Sequence, residues 1–252
     1  MNRQHVRLSP AQLVQIRRRS SQHNQPVTEE HTLTDSLSHL LNAGTAVISD
    51  VFDSIGRIPL VLDTNLKPAN SPVTRFAGPA YTIEGHAEKW TSGGDRAKLA
   101  AIDAMPDGVV ALWSSMDARG VCCFGDLLAT AMQARGCAGT VVDGGVRDVA
   151  FLKSCSMPVV ARYLTPAQAI GRWRVTASQL PVQVRGALQD WITVEPGDIV
   201  VSDEDGVIIV PAALLTKVIN QINEWASVET ESRDAIKAGM PLLAALEKYG
   251  HL

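Results

Sequence analysis

The stretch GDLLATAMQARGCAGTVVDGGVRD, Gly125–Asp148, decides how this chain is read. Its first half carries a helix pattern. Asp126 stands at the start, Leu127, Leu128, Ala131 and Met132 recur at i, i+1, i+4 and i+5, and Arg135-Gly136 ends the run. GTVVD (139–143) reads as a short buried strand, Gly144-Gly145 as a turn, and RDVAFLKSCS, from Arg147, as a further helix. Outward from this unit, AGPAYTIEGHA (77–87) reads as a strand and DRAKLAAIDAMPDG (95–108) as a helix stopped by Pro-Asp-Gly. VVALWS (109–114) is a continuous apolar run, typical of a strand buried on both faces, and PVVARYL (158–164) is another strand. Residues 94–163 thus alternate α-β-α-β-α-β, the pattern of parallel strands joined by crossover helices.

Upstream, LTDSLSHLLNAG and TAVISDVFDSIG are helical segments, each closed by a glycine, and Leu60–Phe76 is a loop bearing Pro and Asn. After Thr165 short β-rich runs alternate with the turns Pro196-Gly197-Asp198 and Glu204-Asp205-Gly206. From Ala212 the chain is helical, with a break around Gly239-Met240-Pro241. Residues 1–30 are polar and form an N-terminal arm with one short helix from Ser9-Pro10. The expected architecture is a single α/β domain over residues 31–252, with a β-rich half and C-terminal helices.

The 252 residues carry a net charge of −3, with 46% hydrophobic and 19% charged residues. That composition suits a globular protein and argues against a nucleic-acid or anionic-membrane binder, whose affinity would need a basic surface. The basic cluster Arg17-Arg18-Arg19 reads as a solvated helix face. No apolar run approaches the ~20 residues of a membrane span, and the N-terminus lacks a secretory signal pattern. Four cysteines (122, 123, 137, 155) form no C-x-x-C, so reduced thiols in a cytoplasmic protein are expected. The six histidines form no metal-spaced cluster, and neither G-x-G-x-x-G nor G-x-x-x-x-G-K-[ST] occurs, which disfavours a nucleotide or S-adenosylmethionine enzyme.

Chemistry concentrates at the two ends of the opening stretch. Asp126 starts the helix after strand 109–114, and Arg147-Asp148 start the helix after strand 140–143. If those strands are neighbours, ~5 Å apart, all three side chains gather on one rim. There the free amides of a helix start favour an anion. An aspartate in the first turn is also an ordinary cap, worth ~1 kcal/mol. The residues alone indicate a site for a carboxylate or a cation.

The D-x20-R-D spacing from Asp126 to Arg147-Asp148 resembles the signature of the class II 4-hydroxy-4-methyl-2-oxoglutarate / 4-carboxy-4-hydroxy-2-oxoadipate aldolases of the RraA-like family. TAVISDVFDSIG, FAGPAYTI, GDLLATAMQARGCAGTVVDGGVRDV and PGDIVVSDEDGVIIVP are similar to that family's segments, in the same order, across about residues 40–240. The resemblance implies a swivelling β/β/α fold, a homotrimer or homohexamer, and active sites at subunit boundaries. It implies Asp148 as the protein ligand of Mg²⁺ or Mn²⁺, with waters filling most of the shell. It further implies that Arg147 binds the 2-oxo acid and steadies its enolate. Gly125, Asp126, Leu127 and Leu128 would form the substrate loop, with Asp126 positioning a water for proton transfer. Carboxylates of a neighbouring subunit, Glu229 or Glu231, would complete the site. The implied reaction is retro-aldol cleavage of a 4-hydroxy-2-oxo acid to pyruvate, as in aromatic degradation, with oxaloacetate decarboxylation as a side activity.

A metal or a lysine imine can hold the enolate's charge. None of the seven lysines (67, 89, 98, 153, 217, 237, 248) lies in a continuous apolar strand, which favours the metal. Alternatives are other 2-oxo or hydroxy acid chemistry, and a non-enzymatic role as a regulator of ribonuclease E. The segment EGHAEKWTSGGDRAKLAAIDAMPDG departs from the family pattern, and Trp90 with Gly93-Gly94 is a candidate lining for the site entrance.

Overall fold

The structure, a computed structural model, describes residues 32–70, 75–90, 93–115 and 118–250. The N-terminal arm and the helix expected from Ser9-Pro10 lie outside the described residues. Helix α1 (Leu33–Ser54) contains both expected N-terminal helices, bent where Gly44 takes φ 85°. Beyond the bend the Thr45 amide and hydroxyl each donate to the Asp203 carboxylate at 2.7 Å, so a distant aspartate caps the second half.

The chain continues through β1 (Lys67–Pro68), β2 (Phe76–Ala87), α2 (Arg96–Asp103), β3 (Val110–Ser114), β4 (Cys122–Phe124), α3 (Asp126–Ala134), β5 (Gly139–Val146), α4 (Val149–Leu152) and β6 (Val159–Leu164). The β-rich half supplies β7 (Trp173–Ser178), β8 (Val182–Arg185), β9 (Trp191–Val194), β10 (Ile199–Ser202) and β11 (Val207–Val210), followed by α5 (Leu215–Lys237) and α6 (Leu242–Tyr249). The parallel strands order as β6-β5-β3-β2, as the alternating pattern requires. β2 is long enough to serve two further partners: its first half pairs antiparallel with β10 and its second with β7. β10 carries on to β11, and β8 and β9 form a separate hairpin.

Side-chain alternation along the buried strands explains the layers. Ala111 and Trp113 of β3 face a core shared with Met132 of α3 and Ile102 of α2. Val110 and Leu112 face the opposite core, closed by Val182, Val184, Ile192 and Val194 of the β8–β9 hairpin. A third core joins α1 and α5 to β10 and β11. No helix among the described residues is long and apolar enough to cross a membrane.

Three local expectations need correction. Gly144-Gly145 is not a turn, because β5 runs on through both to Val146. A Cβ at Gly144 would lie 2.4 Å from Ser115 Oγ, and one at Gly145 2.5 Å from the Val121 carbonyl. The glycines therefore admit close neighbours within the strand. The helix expected over RDVAFLKSCS shrinks to the single turn α4, since Gln133 Oε1 accepts from the Ser156 and Met157 amides and holds the next residues in a turn. In α3 the buried positions are Ala129 and Met132, whereas Leu127 is exposed. The loop Leu60–Phe76 also contributes the two-residue β1, paired with β6.

Candidate active site at the carboxyl edge of the sheet

β3 and β5 are adjacent and parallel, with Ser114 opposite Asp143, so the rim forms where the sequence placed it. The close approach comes from β4, which the sequence reading lacked. β4 runs parallel to β5 with Phe124 opposite Val146, and the Arg147 amide donates to the Phe124 carbonyl at 3.1 Å. The next residues along each strand, Gly125-Asp126 and Arg147-Asp148, therefore lie side by side.

Asp148 adopts a left-handed conformation, φ 60° and ψ 35°, which aspartate tolerates better than most residues. Its Oδ2 accepts from Arg147 Nε at 3.1 Å and from the Asp126 amide at 3.3 Å. Gly125 is extended there, so its role is spatial: a Cβ would sit 2.6 Å from Asp148 Oδ2 and 3.3 Å from Arg147 Cγ. The Asp126 carboxylate turns back on its own helix, with Oδ1 accepting from the Leu127 amide at 2.7 Å. Of the first α3 amides, only that of Leu128 then lacks an acceptor among the described residues. The anion receptor at this helix start is thus narrower than a run of free amides.

Arg147, Asp126, Leu127 and Leu128 open into a cavity of about 230 Å³, with Gly125, Cys122, Cys123 and Phe124 beneath and Lys98, Leu99 and Ile170 around the wall. That volume suits a small acid better than a nucleotide. Asp148 is not among the residues lining this cavity, though its Oδ2 lies against the Asp126 amide at the edge of it; it borders a shallower recess with Leu164, Thr165 and Pro166. Arg147 is common to both. Gly94 lines the main cavity, whereas Trp90 lines a neighbouring one that shares Gln168 and Ile170 with it.

Lys98 is the residue that sequence reasoning missed. It lies on a helix, buried, with Nζ 3.3 Å from the Cys123 carbonyl and 5.0 Å from the centre of the Trp173 ring. A carbonyl oxygen and a ring face both attract a cation. The cysteines are free, and three of the four are buried. Burial raises the Cys122 thiol, with Arg147 and Lys98 opposing, and pushes Cys123 up to about 11. A protonated Cys123 is neither a nucleophile nor a metal ligand.

Among the described residues no three His, Cys, Asp or Glu side chains converge as metal ligands. A hydrated magnesium-type ion needs less. Asp148 is partly exposed and its Oδ1 accepts no hydrogen bond among the described residues, so one carboxylate oxygen remains for a hard cation that keeps most of its waters. The donor set fits. Glu229 is paired with Arg233 at 2.5 Å and Glu231 is exposed, both on α5, which packs on α1 and α6. Neither lines the cavity of Arg147. A second cavity, about 330 Å³, lies by Asp143, Arg162 and Arg185. The buried Arg162 pairs with both Asp143 and Asp63, and the more exposed Arg185 stands 4.0 Å from Asp143.

The model of the RraA-like family (Aldolase/RraA) matches residues 45–209. Protein DlpA of Legionella pneumophila is 30% identical over 88% of this chain, which spans only about a third (35%) of that protein's length. A Halalkalibacterium halodurans protein named "Putative 4-hydroxy-4-methyl-2-oxoglutarate aldolase" is 29% identical over 86% of this chain and 96% of its own. Among solved structures, Streptomyces coelicolor RraAS2, titled an unusual member of the RNase ES inhibitor RraA protein family, superposes with a TM-score of 0.68. It is 22% identical and covers 81% of this chain and 98% of its own, a likeness of fold. By the family match across most of its sheet, and by the fold that carries the rim, the chain belongs to the RraA-like (Aldolase/RraA) family.

Proposed function

We propose that this protein is a divalent-metal-dependent lyase that cleaves a 4-hydroxy-2-oxo acid to pyruvate and a second oxo acid, working as a homotrimer or homohexamer. The observation that carries the reading is the contact of Asp148 with both Arg147 Nε and the Asp126 amide, beside a small cavity that Arg147 enters. The relative named as a 4-hydroxy-4-methyl-2-oxoglutarate aldolase supports it.

Asp148 would hold Mg²⁺ or Mn²⁺ through its free oxygen, and the ion would supply positive charge to offset an enolate. The guanidinium of Arg147 binds the C1 carboxylate, with the Leu128 amide as a second donor. The water that Asp126 orders accepts the C4 hydroxyl proton, C4 leaves as the carbonyl of the second oxo acid, and the C3–C4 electron pair moves into the enolate of pyruvate. Protonation at C3 then gives pyruvate. Asp126, at the mouth of the same cavity, orders the water that carries this proton. Loss of CO₂ from oxaloacetate would produce the same enolate.

Pyruvate release coupled to lactate dehydrogenase, from 4-hydroxy-4-methyl-2-oxoglutarate and from oxaloacetate, tests this. Turnover should need Mg²⁺ or Mn²⁺ and stop with excess chelator. No pyruvate from either compound would leave the alternative of a non-enzymatic regulator of ribonuclease E as the better reading.

A further inference from the structure

The cavity that Arg147 enters contains a second cation. Lys98 lies on α2, on the side that faces the core, among the buried positions Lys98, Ala101 and Ile102. Its neighbour Asp95 does not neutralise it by a hydrogen bond. Asp95 Oδ1 accepts from the Lys98 amide at 3.1 Å, capping α2, and Oδ2 accepts from the Val175 amide at 2.9 Å. The ammonium stands 3.7 Å from that Oδ2, an ion pair without hydrogen-bond contact. Of three N–H donors, one reaches the Cys123 carbonyl, and two have no acceptor among the described residues. Asp95 and the Trp173 ring offset part of the charge, but N–H donors left without an acceptor are costly to bury unless something in the cavity accepts from them.

The place to pair is the cavity, since Lys98 lines its wall and Arg147 stands at its rim. The Cys122 thiol, in the floor, feels the charge of both. Of the cavity's two carboxylates, Asp95 is committed to backbone amides, and Asp126 holds the Leu127 amide. Apolar Leu99, Ala169 and Ile170 make up much of the remaining wall. Two cations joined by an apolar wall match a short chain that is anionic at both ends.

We propose that Lys98 is the specificity residue of this site: its ammonium binds the second, distal carboxylate of the substrate while Arg147 binds the first, so the cavity selects dicarboxylic 2-oxo acids over monocarboxylic ones. This rests on the lyase reading only for the identity of the reaction. The two-cation receptor stands on its own geometry, and its test uses ligands that cannot be cleaved.

Calorimetric titration with 2-oxoglutarate and with 2-oxopentanoate, in the presence of Mg²⁺, compares two five-carbon 2-oxo acids that differ in the distal carboxylate. The full chain should bind 2-oxoglutarate about 10- to 100-fold more tightly, the range for one hydrogen bond to a charged group. Lys98→Met, of similar length but apolar, should erase that preference with little change for 2-oxopentanoate. Lys98→Gln, which keeps a donor for the Cys123 carbonyl, should do the same and decides the matter if Lys98→Met does not fold. An unchanged preference in either folded variant, equal weakening of both acids, or no preference in the unaltered protein would overturn the proposal. Selective binding of 2-oxoglutarate without pyruvate release from any 4-hydroxy-2-oxo acid would uphold Lys98 and count against the lyase alone.

Discussion

Arg147→Lys should lower kcat/KM for pyruvate release about 100-fold, and Arg147→Ala further still. Lysine keeps the charge but loses the planar fork that meets a carboxylate at two points. A hydrogen bond to a charged group contributes about 1.5–3 kcal/mol, and each 1.36 kcal/mol is a factor of ten in rate. Nothing in the packing obstructs the change, because the Arg147 side chain is 41% exposed and its Nε contact is to Asp148 alone. The melting temperature should therefore stay close to that of the unaltered protein. A loss below tenfold would show that the carboxylate is held elsewhere, and Lys98 is then the first alternative. Steady-state kinetics over a range of substrate should place part of the loss in kcat, since the enolate carries more charge than the substrate.

Arg162→Met should cost about 3–5 kcal/mol of stability, the amount typical of stranding one partner of a buried ion pair. Arg162 of β6 is clamped between two carboxylates. Its Nε and Nη2 meet Asp143 of β5, and Nη1 donates to Asp63 at 2.7 Å. Asp143 is 3% exposed, so its charge cannot turn to water when the arginine is gone. The exposed Arg185 is 4.0 Å away and recovers only part of the interaction. Adding Asp143→Leu to Arg162→Met should restore part of the loss, because it removes the deeply buried carboxylate that the single variant strands, while Asp63, closer to solvent, keeps its Asn65 hydrogen bonds. Urea unfolding of the two variants measures this, and a single variant as stable as the parent would show the pair to be dispensable. Acid acts on the same cluster. Burial would raise the Asp63 carboxyl, but the Asn65 amide and Arg162 outweigh it and hold the group below its ordinary value. A depressed carboxylate stabilises the fold above its unfolded pKa of about 4, and that contribution is lost as pH falls through the lower folded value.

Much of this architecture is written locally. Alternating buried strands and glycine-closed helices specify the parallel sheet, and the spacing from Asp126 to Arg147-Asp148 fixes the rim. What could not be read locally depends on contacts far along the chain. The glycines at 144 and 145 look like a turn until Ser115 and the Val121 carbonyl are seen against them. β4 is three residues long, too short to show a period, yet it is the strand that brings the two halves of the site together. Leu127 belongs to an apolar stripe by spacing, but it faces the cavity mouth instead of the core. Lys98 left one signal: a lysine three and four residues before Ala101 and Ile102, on the buried stripe of its helix. A charge on a core-facing position usually has partners, and here they are Asp95 at 3.7 Å and, from far along the chain, the Cys123 carbonyl and the Trp173 ring.

The most direct measurement is metal-dependent pyruvate release by Asp148→Asn. Asparagine tolerates the left-handed backbone at this position and is nearly the size of aspartate, so the fold and the neighbouring contacts should persist while the negative charge disappears. With saturating Mg²⁺, release of pyruvate from 4-hydroxy-4-methyl-2-oxoglutarate should fall to the level of the unaltered protein in excess chelator. Activity within a few-fold of the unaltered protein would place the metal, or the reaction itself, away from Asp148 and contradict the assignment of this rim.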